Sequence, residues 1–460
     1  MKLLSRYYIT IGLYSLFVLD SCKKQDNFLS AKPDQSLLIA TTLADYQLLL
    51  NNENVLNFGD PGLSTICADD DFYVLNSDWA SATAPERNGY IWAQSFYEND
   101  AVYQDWINPY SQVYYCNNIL EGLSKLQPTA SNQSQFNQIK GSTLFYRSYA
   151  FYNLVQTFAM PYDSATANSD PGICLRLATD FQNKSTRATV QQCYDQILQD
   201  LQMALNLLPS TATYKTQPSK WAANALFARI YLAIRNYSKA YLYANACLSQ
   251  SGILTDYNTL GLSTFNISNS FLEEEIFHTS MNTYSLATRT RAFIDSSLYN
   301  SYDPNDLRKT LYFFMSSTSM PQFRGSYDYA GNKFSGIATD EIYLIRAECN
   351  ARNGNTIGAM DDLNTLLIKR WKNNGTWIPF AATDANDALK KILSERRKEL
   401  VLRGLRWSDL RRLNKETAFK KTLTRIINGT THTLAPNDIK YAVPIPLSEI
   451  QLNGIPQNPR

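Results

Sequence analysis

The chain of 460 residues carries 43 basic and 41 acidic side chains, a net charge of +2, and only 18% of its residues are charged. Lys and Arg are densest at 390–425, where they alternate with Glu and Asp as on an ion-paired helix rather than forming the basic stripe of a nucleic-acid binder. Hydrophobic residues make up 44%, enough for a sizeable core, and aromatic residues 13%. That aromatic share, with many uncharged polar residues, favours neutral polar partners such as sugars or peptides, whose surfaces aromatic and amide side chains stack on and hydrogen-bond to.

Lys2 and Arg6 form a short basic segment before an apolar run, Tyr7 to Leu19, of about thirteen residues. The run is shorter than a membrane-spanning helix and fits the core of a signal peptide. It ends at Leu19-Asp20-Ser21-Cys22, similar to a bacterial lipoprotein cleavage box with Asp20 where a small residue is usual. Residues 1–21 are therefore expected to be removed and Cys22 lipidated; the alternative is a plain secretory signal. No later stretch is long and apolar enough to span a bilayer, so the body is expected to be soluble and tethered. The remaining cysteines, Cys67, Cys116, Cys174, Cys193, Cys247 and Cys349, contain no CxxC pair. Zinc sites are not expected, and buried free thiols in helices are.

Helical spacing predicts a segment over 42–51, then long loops over 52–100, rich in Asn, Asp, Gly and aromatics. Helices are expected at about 103–126, 134–158 and 189–208, the last closed by Pro209, with a polar loop at Asp163–Gly172. Two later pairs share a spacing. Ala228 and Tyr231 precede Ala240, Ala244 and Cys247; Ala347 and Asn350 precede Ala359, Leu363 and Leu366. Small residues placed so let antiparallel helices approach, as in tetratricopeptide repeats. Turn residues fall between them at Arg235-Asn236 and Asn353-Gly354. The region 251–340 predicts short strands or loops, for example at Glu275–Thr279 and Phe323–Tyr327; loops of such length are usually functional.

Chemistry-bearing motifs are sparse. The two histidines, His278 and His432, have no evident partner nearby in sequence, and neither a GxSxG elbow nor a phosphate loop occurs. Asp69-Asp70-Asp71 lacks the spacing of a calcium loop and reads as a solvated turn. Glu273-Glu274-Glu275 is the most carboxylate-rich candidate for a glycosidase pair and reads as surface charge before a short strand. In Ile392–Leu413, Glu395, Glu399 and Arg403 are spaced for an i,i+4 ladder, with Leu389, Ile392 or Leu393, Leu400 and Val401 facing a core and Gly404 ending the run. No metal or cofactor is expected.

Several stretches together carry a resemblance. They are Cys22-Lys23-Lys24 with Phe28-Leu29 and Lys32-Pro33-Asp34, then Cys116–Leu120 and Phe145–Leu154. Asp340–Cys349, Glu395–Leu400, Arg403–Leu410 and the tail from Pro444 to Pro459 follow in order. The chain resembles the SusD/RagB family of outer-membrane nutrient-binding lipoproteins. The resemblance implies a mainly α fold, with tetratricopeptide-like hairpins packed against a loop-rich half with a few short strands. It implies one domain over 22–460, its N-terminal half about 22–250 and its C-terminal half about 270–460. It further implies a non-enzymatic lid on a SusC-like TonB-dependent barrel, anchored in the outer membrane and facing the exterior. Its cargo would be an oligosaccharide or a peptide. Lys23, Lys24 and Gln25 stand where many surface-exported lipoproteins of such bacteria carry acidic residues. The family's ligand residues form no transferable motif, so the candidates come from physics: exposed aromatic faces beside hydrogen-bonding groups on loops. These are Tyr73, Trp79, Tyr90 and Trp92 in one region, and Tyr284, Arg289, Phe323, Arg324, Tyr327 and Tyr329 in another. The alternatives are a tetratricopeptide-type protein–protein adaptor and a glycoside hydrolase on a helical scaffold.

Overall fold

The computed structural model describes residues 40–68, 70–97, 103–180, 182–261, 270–325, 327 and 332–460. Cys22, with the rest of the leader and anchor segment, and Tyr329 lie outside the described residues. Two compact units are distinguished, residues 1–46 and 47–460; the second holds the helical hairpins and, among the described residues, every sheet.

The helices of eight or more residues are α1 (Leu43–Leu50), α2 (Gln104–Ser124), α3 (Gln133–Phe158), α4 (Val190–Leu207), α5 (Lys220–Ala233), α6 (Tyr237–Gln250), α7 (Thr339–Arg352), α8 (Thr356–Leu367), α9 (Ala385–Glu399) and α10 (Arg406–Leu413). Their starts follow from local chemistry. Thr189 and Gln192 form a reciprocal capping box at α4, and Ser219, Asn236, Asn355 and Asp384 each accept an N–H from the first turn of α5, α6, α8 and α9. The antiparallel pairs α3/α4, α5/α6 and α7/α8 are the hairpins, and α6 packs on α7. Ala228, Ala240, Ala244, Ala347 and Ala359 are fully buried where the paired helices meet, as their spacing predicts. Turns with positive φ at Arg235 (61°) and Gly354 (79°) end the first helix of each pair. Leu344, Leu363, Leu366, Ile392 and Leu400 form one continuous core beneath α7, α8 and α9.

The segments expected to be long loops are more ordered than their composition suggests. Within 52–97 lie short helices at Glu53–Leu56, Leu63–Ala68, Asn76–Ser81 and Ala84–Tyr90, and strands at Phe58–Asp60 and Phe72–Tyr73. Helix Leu63–Ala68 is buried throughout, so its Ser, Thr and Cys read as polar in sequence but serve as small packing residues. The region 251–340 does form short strands, gathered into small sheets with partners far away in sequence.

The irregular half is stitched to the hairpins by buried charge. Arg308 donates to Asp306 (2.7 Å), Glu395 (2.6 Å) and Glu399 (2.9 Å), and Arg370 donates to Glu399 (2.7 Å) and Glu274 (2.9 Å). Arg403 reaches Asp340 at 2.6 Å, and Arg229 reaches Glu341 at 2.6 Å. The i,i+4 ladder is thereby corrected. α9 ends at Glu399, Arg403 lies beyond it, and Glu399 turns to Arg308 and Arg370 instead. Desolvation drives this: a buried guanidinium requires carboxylates on several sides, which one helix face cannot supply.

Three smaller expectations change for the same reason. Glu274 and Glu275 are fully buried rather than surface charge, and Glu275 sits 2.7 Å from His278, which does have a partner nearby in sequence. Asp70 is clamped by Arg406 and Lys421, and Asp71 by Arg397 (2.6 Å), so these two residues are not a solvated turn. Cys67, Cys116, Cys174, Cys193, Cys247 and Cys349 are all buried free thiols, as expected.

Candidate functional site

One four-stranded sheet brings the two candidate loop regions together. Its order is Phe72–Tyr73, Phe293–Ile294, Pro321–Phe323, Phe313–Met315. Tyr73 pairs with Phe293, Phe293 with Gln322, and Gln322 with Phe314. Directly paired residues share a face, so Tyr73, Phe293, Gln322 and Phe314 form a row across all four strands. On the opposite face Phe313 and Phe323 pack edge-on at 6.3 Å and join the core with Tyr312.

The ends of the row differ. At one end Tyr73 is 39% exposed, lies 5.8 Å from the Phe293 ring, and its hydroxyl sits 3.2 Å from the Met320 sulfur. At the other, Arg289 and Arg324 stand over the half-buried Phe314 ring at 6.0 and 5.6 Å. Burial, and then the neighbouring Arg324, hold the Arg289 guanidinium below its ordinary pKa. Arg289, Phe323, Arg324 and Lys333 help to line a recess of about 170 Å³. Met315, 50% exposed, pairs with Pro321 and so lies on the opposite face from Phe314. Beside Tyr73, the short helix Asn76–Ser81 has no buried residue, and its Asp78 lies 3.8 Å from Arg291. Trp79 is half-buried, its indole N–H donating to the Arg87 carbonyl at 3.0 Å.

Other candidates fall elsewhere. Tyr90 and Trp92 are each 2% exposed beneath the Arg425 guanidinium, 3.9 and 4.7 Å from their rings; Trp92 Nε1 donates to Cys67 O at 2.6 Å. Tyr327 is fully buried and donates to Asp340 at 2.6 Å under Arg403. None of these three offers a ring face to solvent. Tyr284 is half-buried and set against Asp105, which also accepts from Asn282 (2.8 Å) and from the Leu63 N–H (2.6 Å). Burial, and then the Asp105 charge, push the Tyr284 hydroxyl well above its usual value, so it stays a neutral donor. The surface set is thus Tyr73, Trp79, Arg289 and Arg324, joined by Phe314 and Arg291, which sequence reasoning missed. The run Tyr312-Phe313-Phe314-Met315, aromatic and apolar between polar segments, was the available signal for a short strand.

A buried carboxylate fixes another sheet, of Phe58–Asp60, Ser280–Met281 and Lys333–Phe334, on the scaffold. Asp60 accepts from Tyr149 (2.8 Å) and Asn153 (3.1 Å) of α3, and from Thr279 (2.8 Å) and Ser335 (2.7 Å) of the irregular half. Burial raises its pKa against the pull of those hydroxyls.

Geometry of this kind defines a class: a helical-hairpin scaffold carrying an irregular half, on which the exposed Tyr73 and the half-buried Phe314, beside guanidinium groups, end an aromatic row. Comparisons with known proteins bear on the fold. Residues 27–232 match the SusD-like family model described as "starch-binding associating with outer membrane". A SusD-like protein, P2, of Formosa agariphila is 23% identical over 429 residues, covering 79% of this chain and 81% of that protein. A SusD superfamily protein from Bacteroides thetaiotaomicron shares the fold at a TM-score of 0.74 with 23% identity, covering 91% of this chain and 100% of its own. A SusD-like carbohydrate binding protein from Bacteroides vulgatus does so at 0.64 with 19% identity, over 90% and 97%. The chain is thus similar to SusD-like proteins in sequence over residues 27–232 and shares the fold of SusD superfamily structures.

Proposed function

We propose that this protein binds an oligosaccharide on the aromatic row, works without catalysis, and passes its cargo to a SusC-like TonB-dependent barrel. It does so at the outer membrane, held there through a lipid on Cys22 and facing the exterior. The observation that carries the binding reading is the convergence of Tyr73 and Phe314 with Arg289 and Arg324 at one sheet, bridged by the buried Phe293. Pyranose rings present C–H faces that stack on aromatic side chains and hydroxyls that accept from guanidinium N–H groups. The row supplies both, on strands whose reverse face is packed into the core. The match of residues 27–232 supports the carbohydrate class, since that family model is described as starch-binding and associating with the outer membrane. Peptide cargo is the second reading, since an extended peptide also offers apolar faces and carbonyl acceptors.

The buried carboxylates weigh against a hydrolase reading. Glu274, Glu275, Glu395 and Glu399 each hold a structural cation or histidine, so none stands ready to protonate a glycosidic oxygen at the surface. The test of the partner is to solubilise membranes of the native host gently and isolate the protein through a C-terminal tag. Recovery of a stoichiometric barrel with it supports delivery; repeated recovery of the protein alone sinks that part of the reading.

A further inference from the structure

A second cleft lies along α2, and none of its lining residues belongs to the aromatic sheet. It measures about 500 Å³, against about 170 Å³ for the recess at the sheet, and falls within the roughly 300–1,000 Å³ of small-molecule sites. Its floor is α2, which contributes Trp106, Tyr110 and Tyr114; the walls are the hairpin built from strands Pro171–Cys174 and Arg187–Thr189 and the terminal helix Leu447–Asn453.

The walls are held by hydrogen bonds independent of any ligand. The Tyr110 hydroxyl donates to the Cys174 carbonyl (2.9 Å) and accepts the Cys174 N–H (3.0 Å). Asn117 Nδ2 donates to the Arg176 carbonyl at 2.9 Å, while its Oδ1 accepts from Arg147, itself paired with the buried Asp200 at 2.7 Å. On the far wall Asn453 accepts the Ser185 N–H (3.1 Å) and donates to Glu449 (3.0 Å). The cleft is therefore preformed, so little ordering cost attends binding. Within it Tyr114 and Ile107 are each 40% exposed, and Leu452 is 73% exposed.

We infer that this cleft is a second oligosaccharide site, for a neutral glycan. Three observations converge on that class: a concavity of small-oligosaccharide size, rings and apolar side chains that suit sugar C–H faces, and exposed or half-buried amide and hydroxyl groups (Ser111, Thr179, Asn183) that suit sugar hydroxyls. The charged lining residues are one Arg176 and one Glu449, so an acidic glycan finds no net attraction there. The inference extends the proposed glycan binding to a second place and rests on that reading. Two sites on one chain raise retention on a polymeric glycan through effective concentration, without any tighter contact at either.

Ser111 and Tyr114 are both exposed, so Ser111→Trp fills the cleft and Tyr114→Ala strips its floor without disturbing the core. Unchanged melting temperatures check that. The probe is a printed array of neutral and acidic oligosaccharides, read with wild type, each cleft variant, and the double variant Tyr73→Ala/Arg324→Ala at the sheet. The expected result is a set of neutral glycans retained by the sheet variant but bound about tenfold more weakly by both cleft variants. Arrays identical between wild type and both cleft variants overturn the second site and leave the sheet reading standing. Loss confined to acidic glycans overturns the neutral class, and a wild type that retains no glycan overturns both readings.

Discussion

Replacing Glu399 with glutamine keeps the side chain's shape and removes one negative charge from between two guanidinium groups that are almost wholly buried. Arg308 retains Asp306 and Glu395, but Arg370 is left with Glu274 and the Thr255 carbonyl. Breaking a buried pair by removing one partner typically costs 3–5 kcal/mol. Because Arg308 keeps two carboxylates, the expected loss lies near the lower end, about 3 kcal/mol, read by urea unfolding followed by far-UV circular dichroism. The pH dependence sharpens the test. Burial raises Glu274 to about 7 in the wild type, with the Asp340 and Glu399 charges adding to it and Arg370 opposing it. An acid whose folded pKa is raised contributes stability that is fully present below its unfolded value of 4.5 and is lost as pH rises through about 7. Removing Glu399 lowers the Glu274 pKa, so the variant loses less than the wild type between pH 5 and pH 8. The deficit should therefore narrow with rising pH, by on the order of 1 kcal/mol for each unit by which Glu274 falls. A deficit under about 1 kcal/mol, or one that widens with pH, refutes the buried-charge stitching.

Acid titration should act in the opposite sense at Asp70. Burial alone would raise this carboxyl, but Arg406, Arg397 and Lys421 hold it well below its usual 3.8; the stability it contributes is present above that value and lost on acidification below it. Wild type should consequently lose on the order of 2 kcal/mol more than Asp70→Asn as pH falls from 5 to 2, and equal losses in urea titrations would contradict the clamp. Tyr327→Phe removes a hydroxyl bonded to Asp340 in the core, so unfolding should become easier by about 1–2 kcal/mol while glycan affinity stays unchanged; a selective loss of affinity would place Tyr327 at the ligand instead. Cys22→Ser should release the protein from membranes into the soluble fraction, as seen by blotting fractionated cells, and continued membrane association would count against the lipid anchor.

Much of the scaffold was legible because helices announce themselves through local spacing. The alanines at 228, 240, 244, 347 and 359 marked the close approaches of α5/α6 and α7/α8, and the turns at Arg235 and Gly354 lie between those helices. The family-like stretches 340–349, 395–400 and 403–410 turn out to hold the carboxylates and arginines of the buried network, which is why they read as charge on a helix surface. Charge periodicity shows which residues could pair within a helix, but not that Arg308 and Arg370, from distant segments, would claim Glu399. The site was half legible. Aromatic residues on polar segments pointed to Tyr73, Trp79, Arg289 and Arg324, yet the same signal also selected Tyr90, Trp92 and Tyr327, which lie beneath or beside buried arginines. Two-residue strands such as Phe72–Tyr73 and Phe293–Ile294 carry too little alternation to be seen in sequence; pairing over more than 200 residues creates the row.

Glycan binding at that row is tested most directly by affinity electrophoresis through gels containing starch, xylan, mannan, laminarin or pectin. The purified protein should be retarded by at least one of these polysaccharides, and Tyr73→Ala/Arg324→Ala should be retarded at least about tenfold less at the same polymer concentration. No retardation of the wild type by any of them, or equal retardation of the double variant, would contradict glycan binding at the aromatic row.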